Sequence, residues 1–470
     1  MGDQYSHDTF ISPFTWRYGS EEMRSLWSEQ HKRLLLRKVW IALATAQHKA
    51  GLVSREQLAD LIAHQDQVDI QRASELEAQI HHDLMAEIRT YAEQCPIGGS
   101  IIHLGATSMD ILDNMDVVRQ KESLELILKR TRQFALELSI RMEQYADVPC
   151  MAYTHIQPAE PTTIGYRLAQ TAQDILDDLD QLEAVLANLR GKGMKGAVGT
   201  CASYAVLLED SGITPMELEK EVMEQLGLVS FTAATQVYPR KQDWRLGTAL
   251  SGLCATLYKF AIDFRLLQSP AIGEWSEPFG SMQVGSSAMP FKRNPIHSEK
   301  IDSLCRYVSV QSDILWQNAA NTLLERTLDD SANRRVVFPE MFLAVDEILL
   351  TAIKLTKGMQ IHDTAVGRNL AQYGLFAASE RLLMELGKRG ADRQEMHELL
   401  RTHSLAAWAE VQRGHENPLA KSLSEDPEIT CRIPQEKVVE LLNAGDYVGE
   451  APLRTRMILE QLNRKLGIQQ

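Results

Sequence analysis

Apolar residues recur four and three positions apart over long tracts of this chain. After Asp243 they fall at Leu246, Leu250, Leu253, Leu257, Phe260, Phe264 and Leu267, the seam spacing of helices packed lengthwise on one another. Similar spacing marks Ile111 to Tyr145 and Ile164 to Leu189. Proline and glycine, which end helices, are missing between Pro295 and Pro339, and between Gly105 and Gly165 the only breakers are three prolines from Pro149 onward. The pattern predicts long helices, one of them running from Pro295 to Pro339. Alternating strand patterns closed by Asn-Gly or Asp-Gly turns are nearly absent, so the fold class is mainly α.

Breaks fall near Gly98-Gly99, Pro149 to Pro161, Gly191 to Gly199 and Pro270 to Pro295, with a turn-rich patch from Asn417 to Pro434. They predict three parts: an N-terminal helical domain over 1–111, a central long-helix bundle over 112–364 and a C-terminal helical domain over 365–470. At 470 residues the chain is long enough for more than one structural region.

Lys and Arg total 49 against 63 Asp and Glu, a net charge of −14, which excludes a broad nucleic-acid or anionic-membrane surface. An anionic partner must be small and met by a local basic cluster. No apolar run approaches the roughly 20 residues needed to cross a bilayer. The opening MGDQYSHDTF has no basic region before an apolar stretch, so a cytoplasmic address is expected. Six scattered cysteines without a CxxC pair read as small buried apolar residues, neither ligands nor staples.

GKGMKG, Gly191 to Gly196, satisfies GxGxxG but follows a helical tract, so it reads as a helix-ending loop. His81-His82 and His397 with His403 have no companion ligand set and read as local polar residues, leaving no metal expected. Gly280 to Lys300, GSMQVGSSAMPFKRNPIHSEK, is different: glycines and paired serines precede Lys292, Arg293 and Asn294 just before a helix. Such a loop could close over an anion and stabilise developing negative charge. By spacing alone it fits a flexible linker equally well.

GSSAMPFKRNP within that loop resembles the signature GSSxMPxKxNP of the fumarase/aspartase superfamily without a gap. IHLGATSMDILDN at Ile102 to Asn114 and YTHIQPAEPTT at Tyr153 to Thr163 resemble its other active-site regions. WRYGSEEM near the start, HHDLMAEI at His81 to Ile88 and ERTLDDSANRR at Glu325 to Arg335 look like the adenylosuccinate lyase family within it, rather than fumarase, aspartase or argininosuccinate lyase. The resemblance is strong over roughly residues 15 to 345, with Phe291 standing where relatives often carry Tyr or His. It implies the three-domain fold with its central bundle, and β-elimination of fumarate from a succinylated purine nucleotide or from the succinylated imidazole carboxamide ribotide (SAICAR), without cofactor or metal.

The resemblance also implies residue roles. Ser286 is the general base for the succinyl Cβ proton, with Lys292 and Asn294 favouring its alkoxide. His155 is the general acid, oriented and charged by Glu299. His82 and Asp83 resemble the family's His-Asp pair. Arg17, Tyr18, Arg326, Ser331 and Arg335 resemble the phosphate and ribose contacts. Thr107, Ser108, Thr154, Gln236, Lys292 and Asn294 resemble the succinyl-binding set. Without the family, Arg334-Arg335 after Asp329-Asp330 is equally a salt-bridged helix end. The family forms homotetramers whose active sites combine three chains, which is the partner expected here; no nucleic acid or membrane is. The rivals are a carboxymuconate cycloisomerase or argininosuccinate lyase, a non-catalytic helical scaffold, and a nucleotide sensor without turnover.

Overall fold

The structure is a computed structural model that describes residues 8–280, 282–285, 287–289 and 291–468. After two short helices, Pro13–Trp16 and Glu21–Leu26, come α1 (Glu29–Lys49), α2 (Arg55–His64), α3 (Ile70–Ile80) and α4 (Asp83–Gln94), then three long ones, α5 (Ser108–Gln144), α6 (Ile164–Asn188) and α7 (Lys241–Gln268), with the shorter Ala202–Leu207 and Pro215–Gln225 between the last two. Next come α8 (Ile296–Ala320), α9 (Asp329–Gly358) and α10 (Asp363–Lys388), and shorter helices complete the chain. Local chemistry sets the starts of the first helices: Ser28 accepts from His31 N, Ser54 and Gln57 form a capping box, and Asp69 accepts from Arg72 N, each satisfying an otherwise orphaned N–H. All seven apolar seam residues of α7 are 5% exposed or less, so the 3-4 spacing marks a face buried in full. Among the described residues no helix is long and apolar enough to cross a membrane.

The predicted rod from Pro295 to Pro339 is two helices instead, α8 and α9. Side chains break it without glycine or proline. Asn321 Nδ2 donates to the Gln317 carbonyl and Thr322 Oγ1 to the Asn318 carbonyl, both at 2.9 Å, so the last carbonyls of α8 find partners outside the helical ladder. Leu324 then takes φ +45°, and Arg326 turns to Asp330 in the first turn of α9 at 2.7 Å. Pro339 does not end a helix; α9 runs through it.

The chain divides into two compact units. The first comprises Met1–Thr131, Asp178–Ala255 and Ser303–Leu350; the second comprises Arg132–Asp177, Thr256–Asp302 and Thr351–Gln470. In the first unit the turn after α4 is stapled to α2 by Asp60, whose Oδ2 accepts from the N–H groups of Ile97 and Gly98 at 2.8 Å. Burial works against the ionised form, but the Gly98 N–H outweighs it, and with Ile97 N–H and His64 holds the Asp60 carboxyl below the usual range.

The second unit contains structure that the hydrophobic pattern missed. Pro149–Thr154 (β1) and Gln157–Thr163 (β2) form an antiparallel hairpin with a bulge between Met151 and Tyr153, in a stretch read only as a break, and the hairpin packs on α10. Two further ladders among the described residues, one in each unit, are two residues per strand, too short for any alternation to show. The cysteine expectation holds for Cys95, Cys150, Cys254 and Cys305, which are buried; Cys201 is half-buried and Cys431 is exposed, its Sγ turned to the Glu428 carbonyl. All six are free.

A separate apolar cluster closes the second unit around Leu382, Leu386, Leu400, Leu419, Leu423 and Ile433. Leu382 is fully buried there, and truncating such a residue removes its transfer energy and leaves a cavity. Leu382→Ala is expected to destabilise this unit by about 2–5 kcal/mol, read as an earlier transition in urea denaturation followed by circular dichroism; an unchanged midpoint would show that the cluster contributes nothing.

Candidate functional site

In the first unit, Glu77, His81, His82, Asp83, Thr107, Ser108, Met109, Leu112, Gln236, Arg326, Leu328, Ser331 and Arg335 line one cavity of about 410 Å³. Eight of the twelve predicted binding residues therefore share one wall system: His82, Asp83, Thr107, Ser108, Gln236, Arg326, Ser331 and Arg335. The lining includes the first turns of α4, α5 and α9, so three helix N-termini and two guanidinium groups are gathered around a polar space. That combination favours anions. Wider grooves of about 640 and 850 Å³ run along exposed faces of the long helices, but neither collects a comparable set of predicted residues.

The two pocket arginines are held differently. Arg326 donates to Asp330 at 2.7 Å; Asp330 is buried and also accepts from Arg240 at 2.6 Å, and Arg240 reaches Asp113 at 3.0 Å. Burial opposes ionisation of Asp330, yet Arg240 and Arg326 hold its carboxyl below the usual range. Arg335 instead donates to Asp83 at 2.7 Å near the surface; burial again works against ionisation, and this guanidinium with the Leu84 N–H outweighs it and lowers Asp83. Arg334, one position earlier, is buried and donates to Asp243 at 2.8 Å and to the Tyr238 hydroxyl at 2.8 Å. The double arginine thus serves both readings open from sequence, Arg334 as a structural ion pair and Arg335 on the pocket wall.

Arg17 and Tyr18 belong to the same unit but do not line this cavity. The Arg17 guanidinium lies 5.6 Å from the Trp16 ring and 5.9 Å from the Tyr18 ring. Their segment is pinned from α9: Gly19 N donates to Glu347 at 3.1 Å and Ser20 N to Asp346 at 2.7 Å.

The remaining predicted residues belong to the second unit. His155 sits at the hairpin tip, where Thr154 pairs with Gln157 and the two turn residues, His155 and Ile156, take φ +54° and +59°. Such a turn favours Asn-Gly, and a β-branched residue there is strained. His155 and Thr154 are both exposed, and Ile156 is 67% exposed.

In the Gly280 to Lys300 stretch, Ser281, Ser286 and Pro290 lie outside the described residues. Around them Asn294 Nδ2 donates to the Gly285 carbonyl at 3.3 Å and Lys292 N to the Met289 carbonyl at 3.0 Å. A Cβ on Gly285 would stand 2.1 Å from the Lys292 carbonyl, so only glycine fits that approach. Lys292 is exposed. Glu277 closes the base, accepting from His297 N at 3.0 Å and Ser298 N at 2.7 Å at the start of α8. Glu299, in the first turn of α8, stands 3.8 Å from Arg265.

One metal-like group occurs among the described residues: Asp60, His64 and Cys95, with ligand atoms within 4.8 Å of one another. Its donors are already engaged, Asp60 with two backbone N–H groups and His64 Nδ1 with the Asp60 carbonyl at 2.8 Å. Burial raises the Cys95 thiol to about 12, so it is a neutral thiol and the group a hydrogen-bonded staple.

The profile of the lyase family matches residues 15–309, and one described as adenylosuccinate lyase C-terminus matches residues 376–456. An adenylosuccinate lyase of Schistosoma mansoni is 39% identical over 424 residues, covering 89% of this chain and 88% of the relative. The chain belongs to the adenylosuccinate lyase family. Its relatives of that name include one from Saccharomyces cerevisiae, 35% identical over 97% of this chain and 95% of its own length, and one from Pyrococcus horikoshii, 35% identical over 96% and 97%. The fold is also that of a 3-carboxy-cis,cis-muconate lactonizing enzyme from Pseudomonas putida (TM-score 0.85, 24% identity, 96% of this chain and 99% of the other). A fumarate lyase from Mesorhizobium gives a TM-score of 0.83 at 21% identity, over 96% and 99%. These two likenesses speak for the fold alone.

One histidine of the Ile102 to Asn114 motif, not among the candidate residues, is electrostatically linked to His82 and Asp110 of this family member. His103 has φ +69° and its Nδ1 accepts from Trp40 Nε1 at 3.2 Å, which leaves the proton of the neutral ring on Nε2. Burial, with a smaller contribution from His82, pushes His103 down to about 4 despite Asp110. Glu77, His81, Met109, Leu112 and Leu328 also line the cavity without being candidates from sequence; they enter the wall only through the fold. A histidine neutral when folded but titrating near 6.5 when unfolded binds more protons in the unfolded state between those values. Its stability contribution is full above about 6.5 and is lost as pH falls towards about 4. His103→Asn tolerates the positive φ and keeps an acceptor for Trp40, so its stability should fall less steeply than the parent's across that window in urea denaturation; parallel profiles would assign the pH dependence elsewhere.

Proposed function

We propose that this chain eliminates fumarate from adenylosuccinate to give AMP, and from SAICAR to give AICAR. The observation that carries the reading is the first-unit cavity, where two arginines and three helix N-termini surround the residues that the family resemblance assigned to the nucleotide and the succinyl group. A substrate with one phosphate and two carboxylates needs such fixed positive ends.

In the proposed reaction Ser286, as alkoxide, removes the succinyl Cβ proton. The Lys292 ammonium and Asn294 amide favour the alkoxide and the carbanionic intermediate. His155 then protonates the departing purine nitrogen, breaking the C–N bond, and Glu299 orients and charges it. No cofactor or metal is needed for either proton transfer.

The exposed, strained position of His155 suits a catalytic group presented outward by a rigid hairpin to a site completed by other copies of the chain. The proposal therefore includes a homotetramer with sites shared among chains and a cytoplasmic location. The parts 1–111, 112–364 and 365–470 would supply its terminal domains and central bundle.

Purified protein mixed with adenylosuccinate should give AMP and fumarate, followed in the ultraviolet and identified by chromatography. Turnover of argininosuccinate or carboxymuconate in their place would move the chain to a sister activity; tight nucleotide binding with no product would make it a sensor. Ser286→Ala and His155→Ala should each lower kcat by about 10²-fold or more with assembly intact. Near-parental rates in either would remove that residue from the mechanism. Mixing the two inactive proteins should restore part of the activity through hybrid oligomers, whereas none after proven subunit exchange would argue for sites built within one chain.

A further inference from the structure

GKGMKG follows the end of α6, as expected of a helix-ending loop, and all six of its residues are buried. Inside it lies a carboxylate of the protein itself. Asp110, fully buried on α5, accepts from the Lys192 ammonium, from Lys195 N at 3.1 Å, from Gly196 N at 3.1 Å and from the Tyr204 hydroxyl at 3.2 Å. Lys192 is also fully buried, and its ammonium donates further to the Gly196 carbonyl at 2.9 Å. The glycines make room for side chains: a Cβ on Gly191 would stand 2.4 Å from Asn114 Oδ1, and one on Gly193 2.2 Å from Glu219, the partner of Lys195. A glycine-rich nest of N–H groups with a lysine is a common anion cradle. Here the anion is Asp110.

The same carboxylate reaches the candidate site. Its Oδ2 accepts from Thr107 N at 3.1 Å, while Asp110 N donates to the Thr107 carbonyl at 2.9 Å. Thr107 and Ser108 line the cavity at the start of α5. Nearby, Ser203 Oγ donates to the Gly105 carbonyl at 2.8 Å, so the loop before α5 is held by the segment that follows GKGMKG.

We propose that Lys192 and Asp110 are positioning residues that fix the Thr107–Ser108 wall of the cavity. Neither touches the space where a ligand would lie. Asp110 carries five donors from three segments; removing the Lys192 ammonium leaves a buried carboxylate without its cation, a state relieved by taking up a proton, and the neutral carboxyl holds the Thr107, Lys195 and Gly196 N–H groups less firmly. As a statement about substrate binding this rests on the functional reading above; as a statement about the wall it does not.

The test is Lys192→Met in the full-length protein, with amide hydrogen exchange and steady-state kinetics on adenylosuccinate. Exchange at Thr107 and Gly196 should quicken at least about 10-fold with α1 and α10 unchanged, and KM should rise about 10-fold while kcat stays within about 3-fold. A folded variant with parental exchange at Thr107 and parental KM would overturn the proposal, as would exchange quickened uniformly along the chain, the mark of a general stabiliser. Should Lys192→Met fail to fold, Tyr204→Phe removes a single donor from Asp110, and the same two readouts decide with smaller shifts in the same direction. If the parent does not turn over adenylosuccinate, the functional reading fails, and exchange at Thr107 still decides whether the clamp exists.

Discussion

The site depends on burying positive charge without losing control of it. Arginines aimed at a cavity repel one another and must surrender water, so each needs a carboxylate behind it. The chain of Asp113, Arg240, Asp330 and Arg326 supplies this, and Arg334 with Asp243 and Tyr238 runs beside it. Tyr238 is fully buried and burial keeps its hydroxyl neutral, so it can accept from Arg334 and donate to Asp243. Arg326 is consequently fixed by a buried partner, whereas Arg335 is paired with Asp83 close to the surface, where such a pair contributes little, about 0–1 kcal/mol. One cation is set in advance and the other is free to change partner at small cost.

Backbone is held to the same standard. The start of α5 is tied to Asp110, the Gly19–Ser20 turn to Glu347 and Asp346, and the start of α8 to Glu277. Each tie uses a carboxylate against backbone N–H groups, a charge-assisted bond stronger than its neutral counterpart. Strain is confined to a few positions, most plainly His155 and Ile156 at the hairpin tip. A turn that costs free energy in a single chain, and that displays a histidine outward, fits a group whose position matters more than its local comfort.

The fold was legible where period and burial coincide. Ile111 to Tyr145, Ile164 to Leu189 and the seam after Asp243 match α5, α6 and α7 closely, because a long helix buried along one face must repeat its apolar residues every three or four positions. It was illegible where side-chain hydrogen bonds outvote periodicity. Asn321 and Thr322 end α8 inside a tract that no breaker interrupts, and the hairpin strands carry prolines and polar residues because α10 covers only part of them. For the site, the cavity wall was legible through a resemblance to known sequences rather than through spacing: nothing about Gln236 or Ser331 alone marks it. GKGMKG does follow the end of α6, as its glycines suggested, but its burial around Asp110 was not legible, since a glycine-rich stretch that wraps the protein's own aspartate looks the same as one that merely ends a helix.

On the proposed function, the cavity lined by Arg326, Ser331 and Arg335 receives the anionic ends of a purine nucleotide. Diffraction from crystals soaked with AMP tests it most directly. Phosphate density is expected within hydrogen-bond distance of the Arg326 or Arg335 guanidinium and Ser331; ordered AMP bound elsewhere, with this cavity empty, would rule the assignment out.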